Sequence, residues 1–186
     1  DYEMLLKRDN KERVTAARMI ADLAVIHTDK LALLRDQAED AILFWIKEMV
    51  SPHANGLRAL AAMRSKKVVG PLRAWANPSR ALPLEGQQPP MPEEWVVAQS
   101  ALRYAGMMKD QATWPVLVNS LKRRPEKADA TMESLMAGGM AILGMSLRAL
   151  GVGASQGFAE WGDHRAFPYL VTYIEDPKEN EQSRME

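Results

Sequence analysis

The 186-residue chain contains no cysteine, and its net charge is zero because 24 basic side chains balance 24 acidic ones. Without cysteine, a disulfide scaffold, thiol catalysis and thiolate metal sites are excluded. The charge balance argues against binding of nucleic acid or of an anionic membrane through bulk charge. The chain also lacks any run of alternating apolar and polar residues, so no strand is predicted.

Helix-forming residues are abundant. The chain contains 26 Ala, 20 Leu and 12 Met, against 22 β-branched residues. Ala, Leu and Met favour helices, whereas β-branched residues favour strands. With 47% apolar and 26% charged residues, the chain can bury a core, and disorder is not expected. The predicted fold class is therefore all-α.

Apolar residues recur at helical spacing along most of the sequence. Thr28 can cap a helix that runs to Val50, where Ser51-Pro52 ends it, and Asn10 can cap the helix before it. Three shorter helices share one plan, in which a large apolar residue is followed by Gly or Pro and, three positions on, by Leu. Proline is accepted there because first-turn N–H groups have no partner within the helix. These helices open at Val69, Trp114 and Phe167.

The spacing of these motifs indicates a repeat. Arg58, Arg103 and Arg148 each follow a leucine and stand 45 residues apart. The openings at Val69 and Trp114 are also 45 residues apart, and the third opening follows after 53. A period near 45 residues built from two helices is typical of helical solenoids. We therefore expect residues 1–186 to form a single repeat array.

Two segments resemble the first helix of a HEAT repeat, namely residues 110–117 (DQATWPVL) and 163–170 (DHRAFPYL). Arginines followed by small residues, at Arg13 and Arg58, are similar to the opening of the second helix of such repeats, and Arg184 is placed similarly at the end of the chain. The resemblance covers most of the chain and implies an α-solenoid of HEAT-like helical pairs.

This resemblance implies a non-catalytic scaffold or adaptor that binds another protein, in the cytoplasm and without a cofactor. In HEAT arrays the second helices line the concave side, so Arg58, Arg103 and Arg148 become candidate partner-binding residues. The alternative is that these arginines form a ladder that bonds loop carboxylates or carbonyls between repeats. A second function stays open, which is a HEAT-like module associated with an enzyme, such as a lyase-type chaperone of a cofactor or a DNA-lesion-binding module.

Two regions depart from a regular array. The insert at residues 77–92 carries five prolines and is expected to be an extended loop, after which Pro92 starts a helix.

Neither end resembles a natural terminus, and the helix expected at about residues 164–175 carries an apolar stripe without a partner. We therefore expect the natural protein to continue with at least one more helix. The stripe consists of Phe167, Leu170, Val171 and Ile174.

Several motifs suggest chemistry, but their context does not support it. Residues 153–157 (GASQG) match the nucleophile elbow of hydrolases, yet no strand precedes them, so a glycine-rich helix end or loop is expected. His27, His53 and His164 are far apart and predict no metal site. Adjacent carboxylates such as Glu39-Asp40 point in different directions on a helix and are expected to be solvated.

The remaining patterns have structural explanations. The uncharged run from Leu135 to Leu147 is 13 residues long, short of the roughly 20 that span a membrane, so a buried helix is expected. Basic clusters lie at residues 64–67 and 122–124; the second closes a helix, and the neutral overall charge argues against nucleic-acid binding. A methionine stripe at helical spacing is expected to be core. It consists of Met132, Met136 and Met140.

Overall fold

The computed structural model describes residues 10–26, 35–48, 53–77, 92–122 and 139–175. Every regular element in these ranges is a helix, which confirms the all-α prediction. The α-helices are α1 (Asn10–Ile26), α2 (Arg35–Glu48), α3 (Ala54–Ala62), α4 (Val69–Ala76), α5 (Pro92–Met107), α6 (Trp114–Lys122), α7 (Gly139–Trp161) and α8 (Phe167–Ile174). Helices that the sequence predicts to open at Val69, Pro92, Trp114 and Phe167 begin at those residues. Thr28 and residues 78–91 of the proline-rich insert lie outside the described residues.

The chain forms two compact units, one up to Leu72 and one from Arg73 onward. In the first unit, α1 and α2 both pack against α3. Small residues allow this close packing, because Ala16 and Ala17 on α1 are fully buried. A side chain at Gly56 on α3 would place its Cβ 2.9 Å from Ile46 Cγ2 and 3.3 Å from the Trp45 ring on α2. The first core is thus built from α3 and the faces of α1 and α2 that turn toward it.

In the second unit, α7 packs along α5 and also against α6, and α8 packs against α6. Leu102, Leu117 and Leu150 are completely buried where these helices meet. An aromatic cluster joins α6 to α7, with the Trp114 ring centroid 4.9 Å from Phe158 and 5.0 Å from Trp161, both edge to face. Edge-to-face pairs of this kind each add about 0.5–1.5 kcal/mol beyond burial. The core of the second unit is therefore formed by α5, α6 and α7, with α8 packed on α6.

Glycines set the distance between α5 and α7. A Cβ added at Gly106 on α5 would lie 1.9 Å from the Gly157 carbonyl oxygen on α7. A Cβ at Gly153 would lie 2.5 Å from the Gln99 carbonyl oxygen. These contacts involve backbone atoms, which cannot rotate away as a side chain can. Gly106 on α5 and Gly153 and Gly157 on α7 thus permit close contact between the two helices.

Three turns of nearly the same design join α3 to α4, α5 to α6 and α7 to α8. In each, one residue has a positive φ: Arg64 at 57°, Lys109 at 53° and Gly162 at 68°. The next residue, Ser65, Asp110 or Asp163, precedes a 3₁₀ helix of three residues. The last residue of each 3₁₀ helix is buried, and the following α-helix begins directly after it. Those buried residues are Val68, Thr113 and Ala166.

The hydrogen bonds of the turns show why the chain reverses there. At the first turn the Ser65 amide donates to the Leu60 carbonyl and the Arg64 amide donates to the Ala61 carbonyl, the two bonds of a Schellman helix end. The Asp110 and Lys109 amides donate in the same way to Ala105 and Gly106. The sequence predicts the short helices but neither the left-handed residue nor the 3₁₀ helix before them.

Candidate functional site

Two of the three predicted arginines link neighbouring helices. Arg58 on α3 forms an ion pair with Asp22 on α1, with 2.7 Å between Nη2 and Oδ1. Arg103 on α5 donates from Nε and Nη2 to one oxygen of Glu160 on α7, at 3.1 and 2.9 Å. All four side chains remain substantially exposed, so each pair contributes about 0–1 kcal/mol. Each of these two arginines thus bonds a carboxylate on another helix, whereas the alternative named loop carboxylates or carbonyls.

Arg148 differs from the other two arginines. It lies on α7, is exposed, and forms no ion pair with any residue that the structure describes. Arg103 and Arg148 stand on α5 and α7, which pack along each other in the second unit. Of the three candidate partner-binding residues, Arg148 is therefore the one whose guanidinium is not engaged by the described part of the chain.

A buried carboxylate holds the first turn in place. Glu39 on α2 has 11% of its side chain exposed, accepts a hydrogen bond from the Ser65 hydroxyl and forms an ion pair with Lys67 Nζ at 2.9 Å. Lys67 Nζ also lies 2.9 Å from Asp40 Oδ1, so these adjacent carboxylates converge on one ammonium. The expectation that Glu39 is solvated was wrong, because the turn after α3 covers it with a hydroxyl and a cation.

The electrostatics of this cluster favour the ionised carboxylate. Burial alone would raise the pKa of Glu39, but the hydrogen bonds from Ser65 and Lys67 outweigh it and lower that pKa below its ordinary value of 4.5. The two carboxylates raise the pKa of Lys67. Ser65 is 1% exposed, and its hydroxyl accepts the Lys67 amide while bonding Glu39. Ser65 is too deeply buried for a substrate to reach its hydroxyl. The cluster of Glu39, Ser65 and Lys67 instead stabilises the packing of the first turn on α2.

The second and third turns use their acidic residue differently. Asp110 is held by Arg73 of α4, whose Nε and Nη2 lie 2.7 and 2.6 Å from its two carboxylate oxygens. These bonds from Arg73 lower the pKa of Asp110. Asp163 instead accepts the Arg165 amide at 2.9 Å and its guanidinium at 2.6 Å, and these bonds lower its pKa to about 2. Arg165 also lies 5.0 Å over the Trp114 ring.

The GASQG motif lies in the middle of α7, which runs from Gly139 to Trp161. The expectation of a helix end or loop was therefore wrong, although the motif is helical and lacks the strand that a nucleophile elbow requires. The Ser155 hydroxyl donates to the Val152 carbonyl at 2.8 Å, a local helical bond. Gly153 and Gly157 serve instead as points where α7 approaches the α5 backbone.

The described histidines do not meet at one site. His53 caps α3 by accepting the Asn55 amide on Nδ1 and stacks on the Trp45 ring at 5.7 Å, and burial lowers its pKa. The His164 side chain is 96% exposed beside Asp163. His27 lies outside the described residues. Within the described ranges, no three acidic or histidine side chains are grouped so as to hold a metal ion.

A pocket of about 310 Å³ opens between α6 and α8. Lys122 Nζ lies 5.3 Å from the Tyr169 ring centroid at this pocket, a cation–π contact. The lining carries one cation and no carboxylate, so it holds no pair of carboxylates for acid–base catalysis. The lining residues are Leu121, Lys122, Pro168, Tyr169, Thr172 and Tyr173.

The remaining sequence predictions concern membrane crossing, the second basic cluster and the methionine stripe. None of the described helices is both long and apolar enough to cross a membrane. Arg123-Arg124 of the second basic cluster, and Met132 and Met136 of the methionine stripe, lie outside the described residues. Comparison of the chain with models of protein families, with curated proteins and with solved structures gives no match.

Proposed function

We propose that this chain is a HEAT-like helical-repeat protein, an α-solenoid whose function is to bind another protein. The observation that carries the proposal is the recurrence of one turn design at residues 64–68, 109–113 and 162–166. Each turn has a left-handed residue, a polar residue, a 3₁₀ helix and then a short helix with an apolar stripe. Recurrence of one supersecondary unit is the defining feature of solenoid proteins, which use their extended surfaces for binding.

The packing of the second unit supports the same proposal. Helices α5 and α7, which carry Arg103 and Arg148, lie along each other, and α6 and α8, which follow the second and third turns, also contact each other. Equivalent helices thus pack on equivalent helices, which is how a solenoid grows. Among the described residues, no three acidic or histidine side chains are grouped so as to hold a metal ion.

Within this proposal, the partner contacts the helix face that carries Arg103 and Arg148. Arg148 is exposed and offers a fork of N–H donors that matches a partner carboxylate. Arg103 and Glu160 form a partly exposed pair at the same packed helices. Rim charges of this type steer association and fix the register of a complex.

Affinity capture with the full-length protein, followed by mass spectrometry, tests the proposal. We expect a stoichiometric protein partner, and we expect Arg148→Glu to weaken its binding at least tenfold. Lys47→Glu, a charge reversal of an exposed lysine on α2, is the matched control and should leave binding unchanged. Equal retention of the partner by both variants would exclude the arginine face. Recovery of no stoichiometric partner would argue against the binding function itself.

A further inference from the structure

The side chain of His53 caps the start of α3. Its backbone is extended, with φ −72° and ψ 132°, and its Nδ1 accepts the Asn55 amide at 3.2 Å. The ring also stacks on Trp45 of α2, with the ring centroids 5.7 Å apart and the planes 19° from parallel. The usual capping residues are Ser, Thr, Asp and Asn, whereas histidine changes its charge near neutral pH. The start of α3 is therefore held by a group whose charge depends on pH.

The cap bond requires a neutral imidazole. A ring nitrogen accepts a hydrogen bond only while it carries no proton, and in the imidazolium ion both nitrogens are donors. The positive charge of that ion would also stand at the positive end of the α3 dipole, which disfavours it. The face of the Trp45 ring would attract the cation and oppose this effect, but it cannot replace the acceptor that the Asn55 amide loses. Protonation of His53 therefore removes the cap bond.

The charges near His53 do not stabilise its protonated form. Residues 49–57 contain no charged side chain apart from the histidine itself. On α1, Asp22 is paired with Arg58 of α3, and on α2 the acidic residue three positions after Trp45 is Glu48. Burial lowers the pKa of His53 below its ordinary value of 6.5, and no charged side chain of the described residues is a cause of this change. The stabilisation from the neutral ring is therefore lost progressively as the pH falls below 6.5.

We propose that His53 is an acid-sensitive switch for the first turn of α3, which the neutral imidazole keeps closed and its protonation opens. The opening is local, because Leu57 and Leu60 further along α3 are completely buried and hold the rest of the helix in place. The first turn is also where α3 approaches α2, since an added Cβ at Gly56 would lie 2.9 Å from Ile46 Cγ2. Opening of this turn therefore loosens the contact between α2 and α3. The switch belongs to the first unit and does not depend on the proposed binding function.

Nuclear magnetic resonance of the whole chain, labelled with ¹⁵N and titrated from about pH 7.5 to about pH 5, tests the switch. This range lies above the ordinary pKa of 4.5 of a glutamate such as Glu39, so acid effects on that residue stay separate. We expect the His53 ring to titrate below pH 6.5. Hydrogen exchange of the Asn55 amide, corrected for the intrinsic effect of pH, should accelerate at least tenfold over the same transition. Exchange at Leu60 should stay slow.

Variants of the chain assign the effect to the cap. Asparagine caps a helix without titrating, so His53→Asn should keep the exchange of the Asn55 amide slow at every pH in this range. His53→Ala has no side-chain acceptor and should make that exchange fast throughout. His164→Asn is the matched control, because the His164 side chain is 96% exposed, and it should leave the pH dependence unchanged. Glu48→Gln should also leave it unchanged. Circular dichroism verifies that each variant is folded.

The wild-type titration alone can overturn the inference. Exchange of the Asn55 amide that stays constant while His53 takes up its proton would show that the cap bond does not hold the turn. A His53 ring that is still neutral at pH 5 would show that the switch does not operate. Equal acceleration at Asn55 and Leu60 would indicate unfolding of the whole helix instead of a local opening. Loss of the pH dependence in Glu48→Gln would assign the effect to that carboxylate, and the proposal would then be wrong.

Discussion

Substitution of Gly153 by alanine tests the packing of the second unit most directly. An added Cβ there would lie 2.5 Å from the Gln99 carbonyl oxygen and 2.7 Å from the Gln99 Cα on α5. Ordinary van der Waals contact for a Cβ begins at 3.4 Å, so α5 and α7 would have to separate by almost 1 Å. No side-chain rotation relieves this clash, because the contacted atoms belong to the backbone.

Two opposing terms decide the magnitude. Replacing glycine by alanine within a helix gains up to about 1 kcal/mol from helix propensity. Overpacking of a close interface costs about 1–3 kcal/mol or more, and the rigid backbone neighbour places this site at the upper end. We therefore expect Gly153→Ala to lower the free energy of unfolding by about 2 kcal/mol. For a chain of this length, that corresponds to a fall in Tm of roughly 4–8 °C.

Two other positions on α7 serve as controls in the same thermal and urea melts. At Gly151 an added Cβ would meet the Tyr173 side chain, 2.8 Å from its hydroxyl oxygen, and a side chain can shift. Gly151→Ala should therefore destabilise less than Gly153→Ala. Ser155→Ala removes only a local helical hydrogen bond and should change stability by less than about 0.5 kcal/mol. If Gly153→Ala proved as mild as Ser155→Ala, the close approach of α5 and α7 would be refuted.

Further predictions concern the turns. Glu39→Ala should destabilise the first unit by about 1–3 kcal/mol, measured by urea unfolding, because it leaves the buried Ser65 hydroxyl without its carboxylate. Folding lowers the pKa of Glu39, so the ionised carboxylate stabilises the folded state above pH 4.5 and this stabilisation is lost as the pH falls below that value. The free energy of unfolding of Glu39→Gln should therefore decrease less with falling pH than that of the wild type. Lys109→Gly should raise the free energy of unfolding by about 0.5–1 kcal/mol, because glycine adopts a positive φ without strain. Gly162→Ala should lower the free energy of unfolding by about 1 kcal/mol, although nothing lies within 4 Å of the added Cβ. If thermal melts gave the two variants the same change in stability, backbone strain would be excluded as the cause.

The helices could be predicted from the sequence because their signals are local. Apolar spacing and first-turn prolines mark the openings of α6 and α8, and these openings are confirmed at Trp114 and Phe167. The context of the GASQG motif likewise excluded a nucleophile elbow, although its place inside α7 was not foreseen. Both inferences depend on residues within a few positions of each other, where periodicity and turn chemistry carry the information.

The ion pairs could not be predicted, because they depend on distant parts of the chain. Glu39 meets Ser65 and Lys67 only when α2 packs on α3, and an acidic residue on a helix is by default an exposed residue. Arg73 and Asp110 are 37 residues apart and share no pattern that would pair them. The 45-residue spacing identifies Arg58, Arg103 and Arg148 as related positions. Spacing alone does not determine whether each guanidinium faces a neighbouring carboxylate or solvent.

The three turns show what recurs in this protein and what does not. The capping residue is Ser65, Asp110 or Asp163, and it bonds a carboxylate, an arginine of a preceding helix or an arginine of its own turn, respectively. The left-handed residue is glycine in only one turn, although glycine is the residue that this conformation favours. The capping side chains of the three turns therefore differ in chemistry, while one backbone design recurs. Each 3₁₀ helix buries its last residue and is followed directly by a large apolar residue, Val69, Trp114 or Phe167, as the first residue of the next α-helix.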